Sequence, residues 1–251
     1  MNSSHSLFFL LVVASLAIAS CSNSSSTSPT PAPPTVMQWK SGATATYAVT
    51  QRDTSSANFD NELPTAYDTI IRTITAVNQF YLGISNVTVY RDSSTRTRKS
   101  TVGRMYQDAD GAVRIWDWAQ PIWSVYFGSY PLSDEGWVEY AGPTSSTASM
   151  NWSTYFNIGR FVGNFSTDIY DQGKLQTDED VKVQGIVYNA KHILHTITPP
   201  TEGFTTFFTI YIESDLVYDL GMPVVEIVHT YNDWIQKGHY GTTARMISHS
   251  N

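Results

Sequence analysis

From Met37 onward, apolar and polar positions alternate with a period of two, in runs rich in Thr, Val, Ile, Tyr, Phe and Trp that are broken by Gly, Pro, Asn and Asp. A period of two sends successive side chains to opposite faces of an extended strand, and β-branched and aromatic residues suit a half-buried pleated surface. The pattern predicts strands over Thr44–Arg52, Tyr67–Val77, Tyr81–Asp92, Lys99–Gln107, Ala112–Trp118, Trp152–Ile158, Arg160–Asp171, Val181–Gln184, Ile186–Thr198, Thr205–Glu213 and Val224–Tyr231. Helical spacing is sustained nowhere. The dipeptide Asp110-Gly111 lies between two such runs and takes positive φ cheaply at both positions, so it predicts a tight hairpin between antiparallel neighbours.

Several strands alternate cleanly enough to assign faces. In the Ile186 run, Ile186, Tyr188, Ala190, His192 and Leu194 oppose Val187, Asn189, Lys191, Ile193 and His195. Long amphipathic strands joined by short turns predict a mainly β fold with little helix, a single curved antiparallel sheet closed as a half-barrel or barrel. One domain over 37–232 is the expectation for this length. The tail from Asp233 to Asn251 is weakly patterned and is expected to be weakly ordered.

Composition adds an aromatic load of 7 Trp, 15 Tyr and 11 Phe. Trp116, Trp118, Trp123, Tyr126, Phe127, Tyr130, Trp137 and Tyr140 crowd into one stretch. Trp and Tyr bury large areas while keeping a polar edge, so Trp116, Trp118, Trp123, Tyr126, Tyr130 and Trp137 are the candidates to line a groove for a lipid or other apolar ligand. The same rings could equally form the core of a domain poor in Leu.

The N-terminus reads differently. Leu7–Ile18 is an apolar run of signal-peptide length, too short to span a bilayer as a helix. It is followed by Ile18-Ala19-Ser20-Cys21, which resembles the bacterial lipobox: a branched apolar residue, two small residues, then the cysteine. That resemblance implies removal of residues 1–20 as a lipoprotein signal peptide and attachment of diacylglycerol to the Cys21 thiol, with acyl chains such as palmitate holding the protein to a membrane. Two or three chains anchor stably where one does not. Ala17-Ile18-Ala19 also fits ordinary secretory cleavage, which would leave Cys21 unmodified. Cys21 is the only cysteine, so a lipidated chain has no thiol left for disulfides or metal sites. Ser22–Thr35, dense in Ser, Thr and Pro, reads as a tether within 21–36, about 40 Å long if extended. Ser22 follows the cysteine where Asp would mark inner-membrane retention in enterobacterial sorting, so the expected location is the outer membrane, facing the periplasm or the exterior.

A second resemblance covers Val181-Lys182-Val183-Gln184-Gly185-Ile186-Val187-Tyr188-Asn189-Ala190 and Tyr211-Ile212 to Gly221-Met222-Pro223-Val224-Val225-Glu226. It is similar to uncharacterised exported lipoproteins, some with a half-barrel like that of lipoprotein carriers, and it implies no catalytic residue.

Other chemistry finds little support. The net charge of −7, with a single short basic run at Arg96-Thr97-Arg98-Lys99, argues against nucleic acid. His192 and His195 have odd spacing, which on a strand separates them onto opposite faces, so no metal is assigned. Asp108, Asp110 and Asp117 match a calcium loop only in part, and a hairpin explains them. Asp178-Glu179-Asp180 and Asp134-Glu135 read as solvated loop acids. Gly128-Ser129 lacks the rest of a nucleophile elbow. No catalytic residue and no cofactor is therefore assigned. Two functions remain open: a non-enzymatic binding module for an apolar or lipid ligand, or a structural or interaction protein of the cell envelope. The protein partner is not legible.

Overall fold

A computed structural model describes residues 36–52, 62–116, 137–143, 151–162, 165–198, 208–232 and 238–250. Over these the chain forms thirteen strands and no helix: β1 (Thr44–Arg52), β2 (Glu62–Tyr81), β3 (Ile84–Ser94), β4 (Ser100–Gln107), β5 (Val113–Trp116), β6 (Trp137–Ala141), β7 (Asn151–Val162), β8 (Phe165–Leu175), β9 (Glu179–Val183), β10 (Ile186–Thr198), β11 (Phe208–Val217), β12 (Met222–Asn232) and β13 (Gly238–Ser250). All ladders are antiparallel, in the order β6-β5-β4-β3-β2-β1-β13-β12-β11-β10-β8-β7, with β9 pairing β10 beside β8. The sequence neighbours β6 and β7 therefore lie at the two edges. The edges approach each other, and the sheet curls into a nearly closed barrel.

Alternation decides which side chains fill it. Ala45, Tyr47 and Val49 of β1, Ile70 and Ile74 of β2, Ile193 and Ile197 of β10, Ile210 and Ile212 of β11, and Val224 and Val228 of β12 are buried on one face. Each large apolar side chain so buried contributes about 1.5 to 3 kcal/mol. Charged residues share this face. Arg72 donates to both oxygens of Asp92 at 2.8 and 3.1 Å, and the Arg72 guanidinium stacks 4.6 Å from the Tyr90 ring centroid. Tyr90 lies over its cross-strand partner Gly103, where an added Cβ would come within 2.1 Å of the ring. Any other residue at 103 would displace Tyr90 and with it the wall of the ion pair.

One end of the barrel is plugged by the segment before β1. The Met37 amide donates to Gln107 Oε1 at 2.9 Å, the Gln38 amide to the Tyr218 carbonyl at 2.9 Å, and Trp39 Nε1 to the Gly221 carbonyl at 3.0 Å. Gly221 has φ +65°, and a Cβ there would meet the Trp39 ring at 2.6 Å, so glycine is required on both counts.

Two sequence expectations are corrected. The tail expected to be weakly ordered forms β13 over its described part, Gly238–Ser250, hydrogen-bonded on both sides, to β1 and to β12. Its own pattern is poor because, among its described side chains, only Ala244 and Met246 face the core as apolar residues, and its neighbours on either side hold it in place. The Asp110-Gly111 hairpin exists, but only Gly111 has positive φ, and the Gly111 amide closes the turn on the Asp108 carbonyl at 2.9 Å. Turns with both central residues at positive φ occur instead at Leu82-Gly83 and Gln184-Gly185. The lipobox, Cys21 and the tether lie outside the described residues.

Candidate functional site

Of the six aromatic candidates, Trp116 and Trp137 are described; Trp118, Trp123, Tyr126 and Tyr130 lie outside the described residues. Trp116 and Trp137 face each other across the β5–β6 ladder. Their strand neighbours Ile115 and Val138 are buried in the core, so both indoles project from the outer face of the barrel. They form an edge-to-face cluster with Tyr81 and Tyr106: Tyr81–Trp116 at 5.3 Å, Trp116–Trp137 at 5.3 Å and Tyr106–Trp137 at 4.7 Å between centroids. The Arg104 guanidinium sits 4.2 Å from the Tyr81 centroid. Beside the rings, Arg114 bridges Asp108 at 2.5 Å and Glu139 at 3.3 Å. The result is a half-exposed aromatic patch rimmed by cations and acids, an arrangement suited to stacking on a flat or apolar surface.

One interior cavity is lined entirely by described residues. The cavity bounded by Met37, Arg72, Tyr90, Met105, Val113, Ile115, Tyr140, Leu216, Gly221 and Pro223 measures about 10 Å³, at most room for one water. Around it the barrel is filled by side chains that satisfy one another. Tyr47 donates to the Pro223 carbonyl at 2.9 Å, and Tyr140 bonds Ser214. The His195 ring stacks at 9° on Tyr140, its Nε2 donates to the Tyr140 carbonyl at 2.9 Å, and its Nδ1 donates to Asp171 at 3.1 Å. Both partners of His195 are acceptors, which calls for a doubly protonated ring. Burial lowers the His195 pKa, but the Asp171 charge and hydrogen bond and the Tyr140 carbonyl outweigh it and raise the pKa overall. Burial likewise pushes the Asp92 carboxyl up, to about 6, against the pull of Arg72. The His195 and Ser214 hydrogen bonds to Tyr140 tie the edge strand β6 to β10 and β11.

The odd spacing of the two histidines does place them on opposite faces. His192 points outward from β10, directly across the ladder from Asp215 of β11, and its Nδ1 donates to Asp215 Oδ1 at 2.7 Å. Glu213 Oε1 lies 3.6 Å from Nε2. Glu179, at the start of β9, pairs with Ala190, two residues along β10 from His192, and its carboxylate joins the group. Glu179 was read from sequence as a solvated loop acid. The structure brings it to a histidine because the chain breaks from the β8–β10 ladder over Gln176–Asp178 before β9 resumes pairing with β10. Its neighbour Asp178 is taken by Lys191 at 2.7 Å. Hydrogen bonding to Asp215 raises the His192 pKa above the usual value, with further help from the Glu213 and Glu179 charges and against partial burial. Nothing local in the sequence marks Asp215 or Asp171 as the partners, since each is more than 20 residues away along the chain.

Comparison with solved structures yields two similar folds. One is a protein of Bacteroides fragilis named as exported and as having a YmcC-like fold, with TM-score 0.52, 11% identity, and coverage of 86% of this chain and 99% of its own. The other is a protein of Parabacteroides distasonis named as a lipoprotein, with TM-score 0.50, 9% identity, and coverage of 88% and 100%. At these identities the likeness is one of fold. No family model matches the chain, and no curated protein does.

Proposed function

We propose that this chain is an exported lipoprotein, anchored through Cys21 at the outer membrane, whose barrel is a non-enzymatic interaction module of the cell envelope. The observation that carries the interaction reading is the charge-locked packing around the core cavity lined by Arg72, Tyr90 and Tyr140: a carrier of lipids or acyl chains needs a cavity of several hundred Å³, and this one holds about 10 Å³. The anchoring reading rests on the lipobox and is supported by the fold, which is similar to that of proteins named as exported or as a lipoprotein.

A second reading keeps the apolar or lipid ligand and moves it to the outside of the barrel. It is favoured by the Tyr81, Tyr106, Trp116 and Trp137 cluster, whose Trp137 Nε1 is enclosed without an acceptor among the described residues. Both readings share the anchor, so the first test is the intact mass of membrane-extracted protein beside a Cys21→Ala variant. Acyl mass on Cys21, lost in the variant, is expected. A soluble form beginning at Ser20 without added mass would overturn the anchor. The readings then separate by tryptophan fluorescence during titration with phospholipid vesicles, using the full chain with Cys21→Ala to remove the anchor. A blue shift abolished by Trp116→Ala supports a lipid ligand, whereas unchanged emission supports the interaction module.

A further inference from the structure

We propose that Glu179, His192 and Asp215 form a binding site for one divalent transition-metal ion on the outer face of the barrel, remote in chemistry from the aromatic patch and independent of what that patch binds. One ligand atom from each lies within 4.8 Å of the other two. Atoms about 2.0 to 2.2 Å from a shared ion lie roughly 3 to 4.4 Å apart, so a small contraction of side chains brings the three ligands to bonding distance.

Three features make this a built site and not a chance meeting of polar groups. First, two ligands are fixed by the sheet: His192 and Asp215 are direct cross-strand partners, and Asp215 is buried. A site on paired strands holds its geometry better than one on loops. Second, the third ligand arrives through an irregularity. The interruption between β8 and β9 is tied down by the Gln176 amide donating to the His192 carbonyl at 2.9 Å, and it sets Glu179 on the same face as His192. Breaks in a ladder commonly re-aim a side chain toward a site in this way. Third, among the described residues the charges do not balance. Glu179, Glu213 and Asp215 surround one imidazole, and the nearby ammonium of Lys191 is committed to Asp178. A proton on His192 supplies one positive charge, and a divalent ion replacing that proton supplies two.

One imidazole nitrogen with two carboxylates is a borderline donor set. It favours zinc, manganese, nickel or cobalt over calcium, which prefers oxygen alone. Glu213, 3.6 Å from His192 Nε2, sits where it can accept the proton of the ring nitrogen that does not face Asp215, the outer contact that orients a ligating imidazole. Glu179 is exposed, so the ion enters from solvent on that side. Bound there, the metal would pin β9 to β10 and β11 across the break and keep coordination positions open to water.

The test is calorimetric titration of the full chain in detergent, first stripped with chelator, with zinc chloride alone. Cobalt serves as a spectroscopic substitute. One zinc per chain is expected, with affinity falling at least about tenfold in both His192→Gln and Glu179→Gln. Cobalt should give visible ligand-field bands that the same variants abolish. Glu179 is exposed and bears no core contact, so E179Q stays informative even if H192Q folds poorly. His249→Gln, whose ring bonds the Tyr188 hydroxyl at 3.1 Å and supplies none of the three ligands, should bind zinc as the parent does. Failure to bind zinc, or unchanged affinity in either Glu179→Gln or folded His192→Gln, would overturn the site.

Discussion

Two histidine–aspartate pairs hang from one strand, three residues apart, and the barrel wall between them gives them different work. His195–Asp171 faces inward, where both side chains are fully enclosed and a second acceptor, the Tyr140 carbonyl, completes the ring. His192–Asp215 faces outward, part-exposed, with additional carboxylates around it. Inside, water cannot compensate a lost partner, so the pair behaves as a structural rivet. Outside, water can, so the same chemistry is free to exchange a proton for another cation.

The largest way to break this contrast is to remove one inner partner. Asp171→Ala strands an imidazole among the Tyr140 carbonyl and buried neighbours and is expected to cost roughly 3 to 5 kcal/mol, lowering the melting temperature by roughly 10 °C. Asp215→Ala in chelator-treated protein should cost about 1 kcal/mol. Equal losses in thermal denaturation would erase the distinction. The pH response sharpens it next. His195 has its pKa raised in the fold, so its contribution to stability is complete below the ordinary value near 6.5 and is lost as pH rises through the raised folded value. Imidazole NMR should find His195 titrating above that ordinary value. In Asp171→Asn, burial is left as the dominant influence, and the ring should titrate below it. Tyr140→Phe, which removes the hydroxyl bonded to Ser214, should cost about 1 kcal/mol by chemical denaturation. The smallest effect is expected outside: Glu213→Gln, on a half-exposed carboxylate, should shift stability by less than about 0.5 kcal/mol.

The separation of the two histidines onto opposite faces was legible from their spacing, because a strand's period of two is a local property. So were β1 and β10, whose boundaries at Thr44–Arg52 and Ile186–Thr198 coincide with the apolar alternation. Their partners were not legible. Asp171 and Asp215 reach the histidines across ladders, and register is a property of the whole sheet. The same applies to Arg72 and Asp92. Each sits at an inward position of its strand, Arg72 between Ile70 and Ile74, and a charge at an apolar parity position was the available signal for a buried pair. β6 and β13 escaped for related reasons. β6 is five residues long inside an aromatic run, and β13 carries Thr, Arg, Ser and His where an isolated strand would carry apolar residues. The aromatic stretch stands out by composition, but composition alone gives no face, and Trp116 and Trp137 point away from the core.

The place of β13 also sets a timetable for folding. Thr44 pairs with Ser250, so the ladder in the middle of the sheet joins the two ends of the domain. As the chain is synthesised, β1 through β6 can meander into one curved ribbon and β7 through β12 into another, each built from near neighbours. Both ribbons then end on a long unpaired edge until Gly238–Ser250 arrives to fit between β1 and β12. Closing so long a loop places the barrel among slowly folding topologies, with exposed edges as the hazard of waiting. For a chain proposed to cross a membrane before folding, the delay is an advantage, because the last strand of the barrel to be threaded is the one that locks it shut.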